Sequence, residues 1–378
     1  MWQRLGRMGT ISEFWRIFGE VNPEHIREEA ERPFRLLLLG APGSGKTTLA
    51  EALAGGRDER ARAADVLLDV DHGEVAIRPN GDGDGATSMP AVALPAPIAP
   101  FEVATLPRAD FSVCVIDGTR RVNGADRRAI EALRRAGRRC AVFLNKCDVI
   151  ENMPKLRYDT YAALGDMPPD RIAFGAANRA EDVETVVAQL LLEGLPGSRL
   201  ALARRLPALR RAVGDEIIVE TARVNAEFAL LSNLPANIPI VGGLLGGGAD
   251  FLVLTKNQGM MIFKLAAIHG RDLRSKPTLA AEVAPVVGAA FLWRTIAREL
   301  IGMLPSFVAA VPKTAIGYVG TYVVGKMAQY YYAKGSRPTR EMMRRFSGEA
   351  AHGWRRLVEA RAQLPQLALW PTKRGIKA

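Results

Sequence analysis

Apolar runs of strand length recur through the first half of the chain, each closing on a glycine or a polar turn. They are Phe34–Leu39 (FRLLLL), Phe111–Asp117 (FSVCVID), Cys140–Leu144 (CAVFL) and the start of Ile172–Ala177 (IAFGAA). Glu74–Pro79 and Ser88–Leu94 flank the Asn80-Gly-Asp-Gly-Asp-Gly turn and read as a second strand, a hairpin and a third strand. Helical patterns lie between the runs. Thr47–Ala54 reads as a helix ending near Gly55-Gly56, and Asn22-Pro23 reads as the cap and first position of a helix over Glu24–Glu31. Near the N-terminus Ile11, Phe14, Trp15 and Phe18 take i, i+3, i+4, i+7 spacing, with Arg4, Arg7 and Arg16 around them. That arm suits either a membrane surface or the protein's own C-terminal half.

Past Leu195-Pro-Gly the pattern changes. Ser198 stands where it can cap a long basic helix carrying Arg199, Arg204, Arg205, Arg210 and Arg211, and Ala-rich helical segments follow without strand alternation. Phe228–Ala249 has 22 uncharged residues, which is membrane-span length. Pro235, Pro239 and the glycines from Gly242 break it, and Pro305 and Pro312 break the apolar stretch Ile301–Gly325. Short helices are expected there, not straight spans. The boundaries that follow are an amphipathic arm over 1–32, an α/β domain over 33–195, an apolar helical domain over 196–335 and a basic tail over 336–378.

Composition adds compartment and charge. The 378 residues are enough for two domains. Cys114, Cys140 and Cys147 all fall in or beside expected strands, an odd set that reads as reduced thiols and not as a disulfide framework. The four histidines are scattered and no C-x-x-C occurs, so no histidine or cysteine metal site is indicated. Met1–Arg7 is charged and no apolar core follows it, so no secretory leader is expected. From Lys334 to Ala378 eleven Lys/Arg face three Glu, which places +8 of the formal +11 in that stretch. Such a tail suits anionic lipid headgroups at about 1 kcal/mol per basic residue; it also suits nucleic acid or a solvated helix face. Tyr330-Tyr-Tyr332, Trp354 and Trp370 fit a membrane interface or base stacking.

Two motifs carry the chemistry. Gly40-Ala-Pro-Gly43-Ser44-Gly45-Lys46-Thr47 fits G-x-x-x-x-G-K-[ST] and sits between a strand and a helix. Its glycines let backbone N–H groups turn around a β-phosphate, and the helix N-terminus adds positive potential. Lys46 would reach the β- and γ-phosphates, the Thr47 hydroxyl would bind Mg2+, and Thr48 belongs to the same cradle. The second motif, Asn145-Lys146-Cys147-Asp148, fits N-K-x-D at the end of an apolar run. The Asp148 carboxylate can accept both N1–H and the 2-amino group of guanine, a donor pair that adenine lacks. Asn145 would brace the loop and the Lys146 stem would cover the base. Together the motifs predict an α/β P-loop domain, a mostly parallel sheet with flanking helices, that takes GTP or GDP with Mg2+, followed by an all-α region of short apolar helices.

With these residues in place, 33–195 resembles an Era-type small GTPase. Phe111–Asp117 is similar to that family's fourth strand, and Ala176-Ala177 stand where its fifth motif has Ser-Ala, whose backbone N–H groups contact the base oxygen. The resemblance also implies a switch threonine and a D-x-x-G after the third strand. No threonine lies between Thr48 and Thr87, and Leu94-Pro-Ala-Pro-Ile98 stands where D-x-x-G is expected. Asp69, Asp71, Asp82 and Asp84 are nearby carboxylates that either substitute or form a solvated turn. Nucleotide binding is therefore expected, with slow or degenerate hydrolysis.

Residues from about 215 to 335 resemble the YcjF-type helical domain, through Ile238-Pro-Ile-Val-Gly-Gly, Ala249–Leu254, Asn257-Gln258 and Met260–Lys264, with Val286–Phe291 and Gly317–Met327 resembling its later hairpin. That family's association with membranes implies a cytoplasmic protein on the inner face of a bacterial cell membrane. Two function classes follow: a membrane-associated GTP-dependent switch, or a pseudo-GTPase scaffold that holds nucleotide structurally and docks a partner protein or RNA. No RNA-binding signature appears.

Overall fold

A computed structural model of the protein describes residues 22–56, 67–71, 106–231, 249–275 and 312–362. Residues 1–21 of the N-terminal arm, the two runs at 74–79 and 88–94, the glycine run after 242 and the stretch 286–291 lie outside the described residues. The chain divides into two compact units. The first is Glu24–Gly214 with Ala267–Gly270, and the second holds the other described residues from Asp215 onward.

The first unit is α/β. Its elements are α1 (Glu24–Glu31), β1 (Leu36–Gly40), α2 (Lys46–Ala54), β2 (Leu67–Asp71), β3 (Phe111–Asp117), α3 (Gly124–Arg135), β4 (Cys140–Asn145), α4 (Met153–Ala163), β5 (Ile172–Phe174), α5 (Ala180–Gly194, with a π-wound turn at Val183–Val187) and α6 (Arg199–Arg205). All four strand pairings are parallel, in the order β2-β1-β3-β4-β5. Every residue of β1, β3 and β4 is buried. That burial is why these strands read as continuous apolar runs and not as alternating ones. Parallel neighbours need crossovers, and the helices supply them with local signals. Asn123 accepts from the Ala125 and Asp126 N–H groups, and Asp126 accepts in return from the Asn123 N–H, which opens α3. Asn152 accepts from the Lys155 N–H and opens α4. Gly55, left-handed at φ 85°, ends α2.

One strand was not read from the sequence. Leu67–Asp71 pairs in parallel with β1, from Leu36 opposite Leu67 to Gly40 opposite Asp71. The chain therefore steps from β1 to one side to form β2, and returns to the other side for β3, β4 and β5. The order reverses between β1 and β3. Ligands of open α/β sheets sit outside the carboxyl ends of the strands at such a point.

The long basic helix expected from Ser198 is two helices. α6 ends at Arg205, Pro207 interrupts, and α7 (Arg210–Leu231) begins after it. Proline removes an N–H and crowds the preceding turn. The Ser198 side chain makes no capping bond. Leu200, Ala201, Leu202 and Ala203 are fully buried, and α6 packs on α1.

The second unit is helical: the later part of α7, α8 (Ala249–Ile268), α9 (Pro312–Lys334) and α10 (Arg340–Ala362). Most described side chains of α9 are buried, on all its faces, and small residues permit that. Gly325 lies against Ile218 and Met261, and Gly317 against the Asn225 backbone and Ala229. A neutral polar network ties three helices. Asn225 Nδ2 donates to Thr321 Oγ1 at 2.8 Å, Gln258 Nε2 donates to the same oxygen at 3.2 Å, and Asn257 Nδ2 donates to Asn225 Oδ1 at 2.8 Å. α10 is amphipathic. Met343, Phe346, Ala350 and Trp354 are buried, whereas Arg340, Arg344, Arg355 and Arg356 are exposed.

Among the described residues no single helix is long and apolar enough to cross a membrane. One bent pair, Ala180–Gly194 with Pro196–Arg205 at 106°, has the length and composition. Its leucines at 190, 191, 200 and 202 are buried within the first unit.

Candidate nucleotide site

The loop after β1 is shaped by its glycines, and at Gly40 and Gly45 a side chain has no room. Gly45 has φ 94° and caps α2, and a Cβ there would run into the Asn145 side-chain nitrogen. A Cβ at Gly40 would strike the Val115 carbonyl oxygen on the neighbouring strand. Gly43 is also left-handed, at φ 76°, and the space its Cβ would take is open. Left-handed residues next to a helix start turn successive N–H groups into one concavity, which is an anion cradle. Lys46 is buried, and its Nζ donates to the Ala41 carbonyl at 2.9 Å, so the ammonium is folded over the loop. Thr47 and Thr48 are exposed in the first turn of α2. Ser44 is buried at 1% exposure and its hydroxyl has no partner among the described residues. A pocket of about 10 Å3 beside it, next to Asp117 and Asn123, is the size of one water.

Asn145 joins this loop to two others. Its Nδ2 donates to the Ser44 carbonyl at 2.8 Å, and its Oδ1 accepts from the Ala177 N–H at 2.8 Å. At 3% exposure neither bond is shared with bulk solvent. Lys146 is left-handed at φ 63°, the one non-glycine with positive φ among the described residues. That turn sends the chain from β4 into the short helix Cys147–Val149. Lys146 Nζ donates to Asp117 Oδ2 at 2.7 Å. Asp117 Oδ1 accepts from the Thr119 hydroxyl at 2.6 Å and the Thr119 N–H at 3.0 Å. Burial pushes the Asp117 carboxyl up, but the hydrogen bonds from Lys146 and Thr119 and the Lys146 charge outweigh it and hold its pKa below the ordinary carboxylate value. Asp148 is exposed, and its Oδ2 accepts from Asn178 Nδ2 at 3.2 Å. Ala176 and Ala177 are buried just past β5, and the Ala176 N–H donates to Asp182 Oδ2 at 2.8 Å.

The phosphate motif and the base motif, about a hundred residues apart, thus lie within one hydrogen-bonded cluster at the carboxyl edge of the sheet. The sequence reading assigns no site role to Asp117, whose one signal is its position at the end of the strand beside N-K-x-D. Of the four carboxylates it names as possible substitutes for D-x-x-G, Asp71 ends the strand next to β1, opposite Gly40. The donor set fits a nucleoside polyphosphate with a divalent cation. It offers a glycine cradle with open space at Gly43, a lysine over the loop and a threonine at the helix start. Asp71 ends the strand beside Gly40. Among the described residues no cluster of three or more His, Cys, Asp or Glu suggests another metal site.

The three cysteines are unpaired, in keeping with reduced thiols. Burial raises the thiol pKa of Cys114, Cys140 and Cys147. They remain protonated and poorly nucleophilic.

No protein-family model matches the chain, and no solved structure does. Among curated proteins, GTPase Der of Gloeobacter violaceus is 31% identical over 158 residues, covering 37% of this chain. The match takes in 32% of that relative, so the chain spans about a third of its length. The parallel sheet, the glycine cradle and this similarity together support a P-loop GTPase domain in the first unit.

Proposed function

We propose that the first unit binds a guanine nucleotide with Mg2+ and that the protein is a nucleotide-dependent switch acting at an anionic membrane surface. The Asn145 bridge between the Ser44 carbonyl and the Ala177 N–H carries the nucleotide reading, because it gives a phosphate loop and a base loop one shared anchor. Gly40–Thr48 would hold the phosphates. Lys46 would leave the Ala41 carbonyl for a phosphate oxygen, and the Thr47 hydroxyl would face the metal side, with Asp71 ending the strand beside the loop. Asp148 would exchange Asn178 for the guanine N1–H and 2-amino group, with the Ala176 and Ala177 backbone beside the base. Bound Mg2+ would neutralise charge on the β- and γ-phosphates. The similarity to GTPase Der and the resemblance to Era-type motifs support this reading.

Turnover is proposed to be slow, because no threonine stands between Thr48 and Thr87. That observation favours the scaffold alternative for the chemistry, in which nucleotide is held structurally and a partner protein or RNA is docked. The exposed arginines of α10, the basic tail and the YcjF-type resemblance support a bacterial inner-membrane surface as the location. The test is to release and identify the nucleotide that co-purifies, then follow its turnover. GTP or GDP is expected, with a rate at or below ~10⁻⁴ s⁻¹ and no binding in Lys46→Ala. Equal retention of ATP and GTP would overturn the base assignment.

A further inference from the structure

Beside the guanine motif, on the far side of the Asp117–Thr119 turn, lies a cleft of about 390 Å3 between that turn and α4. Its size is within the range of small-ligand sites. Its rim is cationic: Arg120, Arg121 and Lys155 line it, against one carboxylate, Asp159, which sits 3.5 Å from Lys155. Arg121 is exposed and makes no hydrogen bond or ion pair with any described residue. The chain leading from the cleft into α3 has the same sign, with Arg120, Arg121, Arg127 and Arg128 against Asp126. Such a field concentrates anions at a concave site. The floor is apolar, from Val122, Ile150, Leu156 and Ala163. Thr160 closes the floor. It is 1% exposed, and its hydroxyl has no hydrogen-bond partner among the described residues. A buried hydroxyl left unpaired is unfavourable, and a ligand acceptor that reached it from the cleft would supply the missing partner.

The wall of this cleft is also part of the base-reading apparatus. Thr119 lines it and donates twice to Asp117, which holds Lys146. The Gly118 N–H donates to the Asn145 carbonyl at 2.8 Å. A ligand that moves Gly118–Arg120 must therefore act on Asn145 and Lys146.

We propose that this cleft is a second ligand site, for a small anion (phosphate or carboxylate) carried on a flat apolar body, and that its occupancy changes the affinity for guanine nucleotide. The coupling rests on the guanine reading of Asn145–Asp148; the site itself does not. By linkage, guanine nucleotide would change affinity for the anion by the same factor.

The test uses the full chain and phenyl phosphate, with inorganic phosphate and phenol as the two halves of the probe. Calorimetry with GDP in saturating excess is expected to show phenyl phosphate binding, weaker binding of phosphate and none of phenol. Arg121→Ala and Thr160→Val should each weaken phenyl phosphate about tenfold. Thr160→Val should leave the melting temperature equal or higher, because it removes an orphaned hydroxyl. In a second arm, phenyl phosphate should change the release rate of a fluorescent GDP severalfold, and not in Arg121→Ala. No binding, displacement by GDP, or binding unchanged in both variants overturns the site. Intact binding with an unaltered release rate overturns the coupling. Failure of GDP to bind overturns the guanine reading while the calorimetry still decides the cleft.

Discussion

Asp71 stands opposite Gly40 in the parallel pairing of β1 and β2. The last residue of one strand is therefore level with the first glycine of the phosphate loop, at the edge where the sheet order reverses. Asp71→Asn is expected to lower Mg2+-dependent nucleotide affinity about 10- to 100-fold, the range for carboxylates serving a metal. Nucleotide affinity measured in EDTA should change little. Asp69→Asn serves as the comparison. If it has the larger effect, the metal-facing role belongs one pleat back along β2.

On the proposed reading, base choice rests on Asp148. The unaltered protein should bind GTP and GDP and ignore ATP. In Asp148→Asn an amide N–H donor replaces the oxygen facing the 2-amino group while Oδ1 still accepts from N1–H, so preference should move toward xanthine nucleotides, whose 2-oxygen accepts. Competition among GTP, XTP and ATP for a fluorescent GDP reads this directly, and an unchanged ranking in the variant would count against Asp148.

Asn145→Ala removes both bonds of the bridge and leaves the Ser44 carbonyl and Ala177 N–H without that partner. Each such buried group costs about 1–3 kcal/mol. The first unit should melt earlier and nucleotide affinity should fall with it. A variant that keeps parental stability and affinity would show that the bridge is incidental.

Asp117 makes stability pH-dependent. Its folded pKa is depressed, so the stabilisation is present above the unfolded carboxyl value near ~3.9 and is lost as pH falls through the depressed folded value. Denaturant unfolding should show this contribution intact from neutrality to about pH 4 and fading below it. In Asp117→Asn the acid loss should be shallower and stability at neutral pH lower. An identical acid limb in the variant would mean that Lys146 does not stabilise the carboxylate.

Membrane attachment should have two separable parts. Salt should weaken the contribution of the basic residues around α10 and the tail, by screening within about 10 Å at 0.1 M. Burial of the apolar segments should survive salt and need detergent. Fractionation of the full chain against a version ending at Gly214, the end of the first unit's main segment, tests both. A full chain that stays wholly soluble at low salt, monodisperse without detergent, would exclude the membrane reading.

Much of this site was legible one motif at a time. Gly40–Thr47 and Asn145–Asp148 could be read because each needs particular residue types at fixed spacing, and β1, β3 and β4 because strands buried on both faces are apolar throughout. β2 was not legible. Its sequence, LLDVD, carries two carboxylates in five residues and breaks the apolar run. The signal of Asp117 was equally mute, since an aspartate at a strand end has no partner until the neighbouring strand is known.

The two loop motifs, the parallel α/β character of the first half and the helical character of the second can be read from the chain alone, because spacing, capping residues and hydrophobic runs are local properties. That Leu67–Asp71 is the neighbour of β1, that Asn145 reaches Ser44 across 101 residues and that Lys146 is held by Asp117 emerged only in the folded molecule. Sheet order and register are set by which backbone groups find one another after the chain has closed its long loops, and no window of residues records that choice.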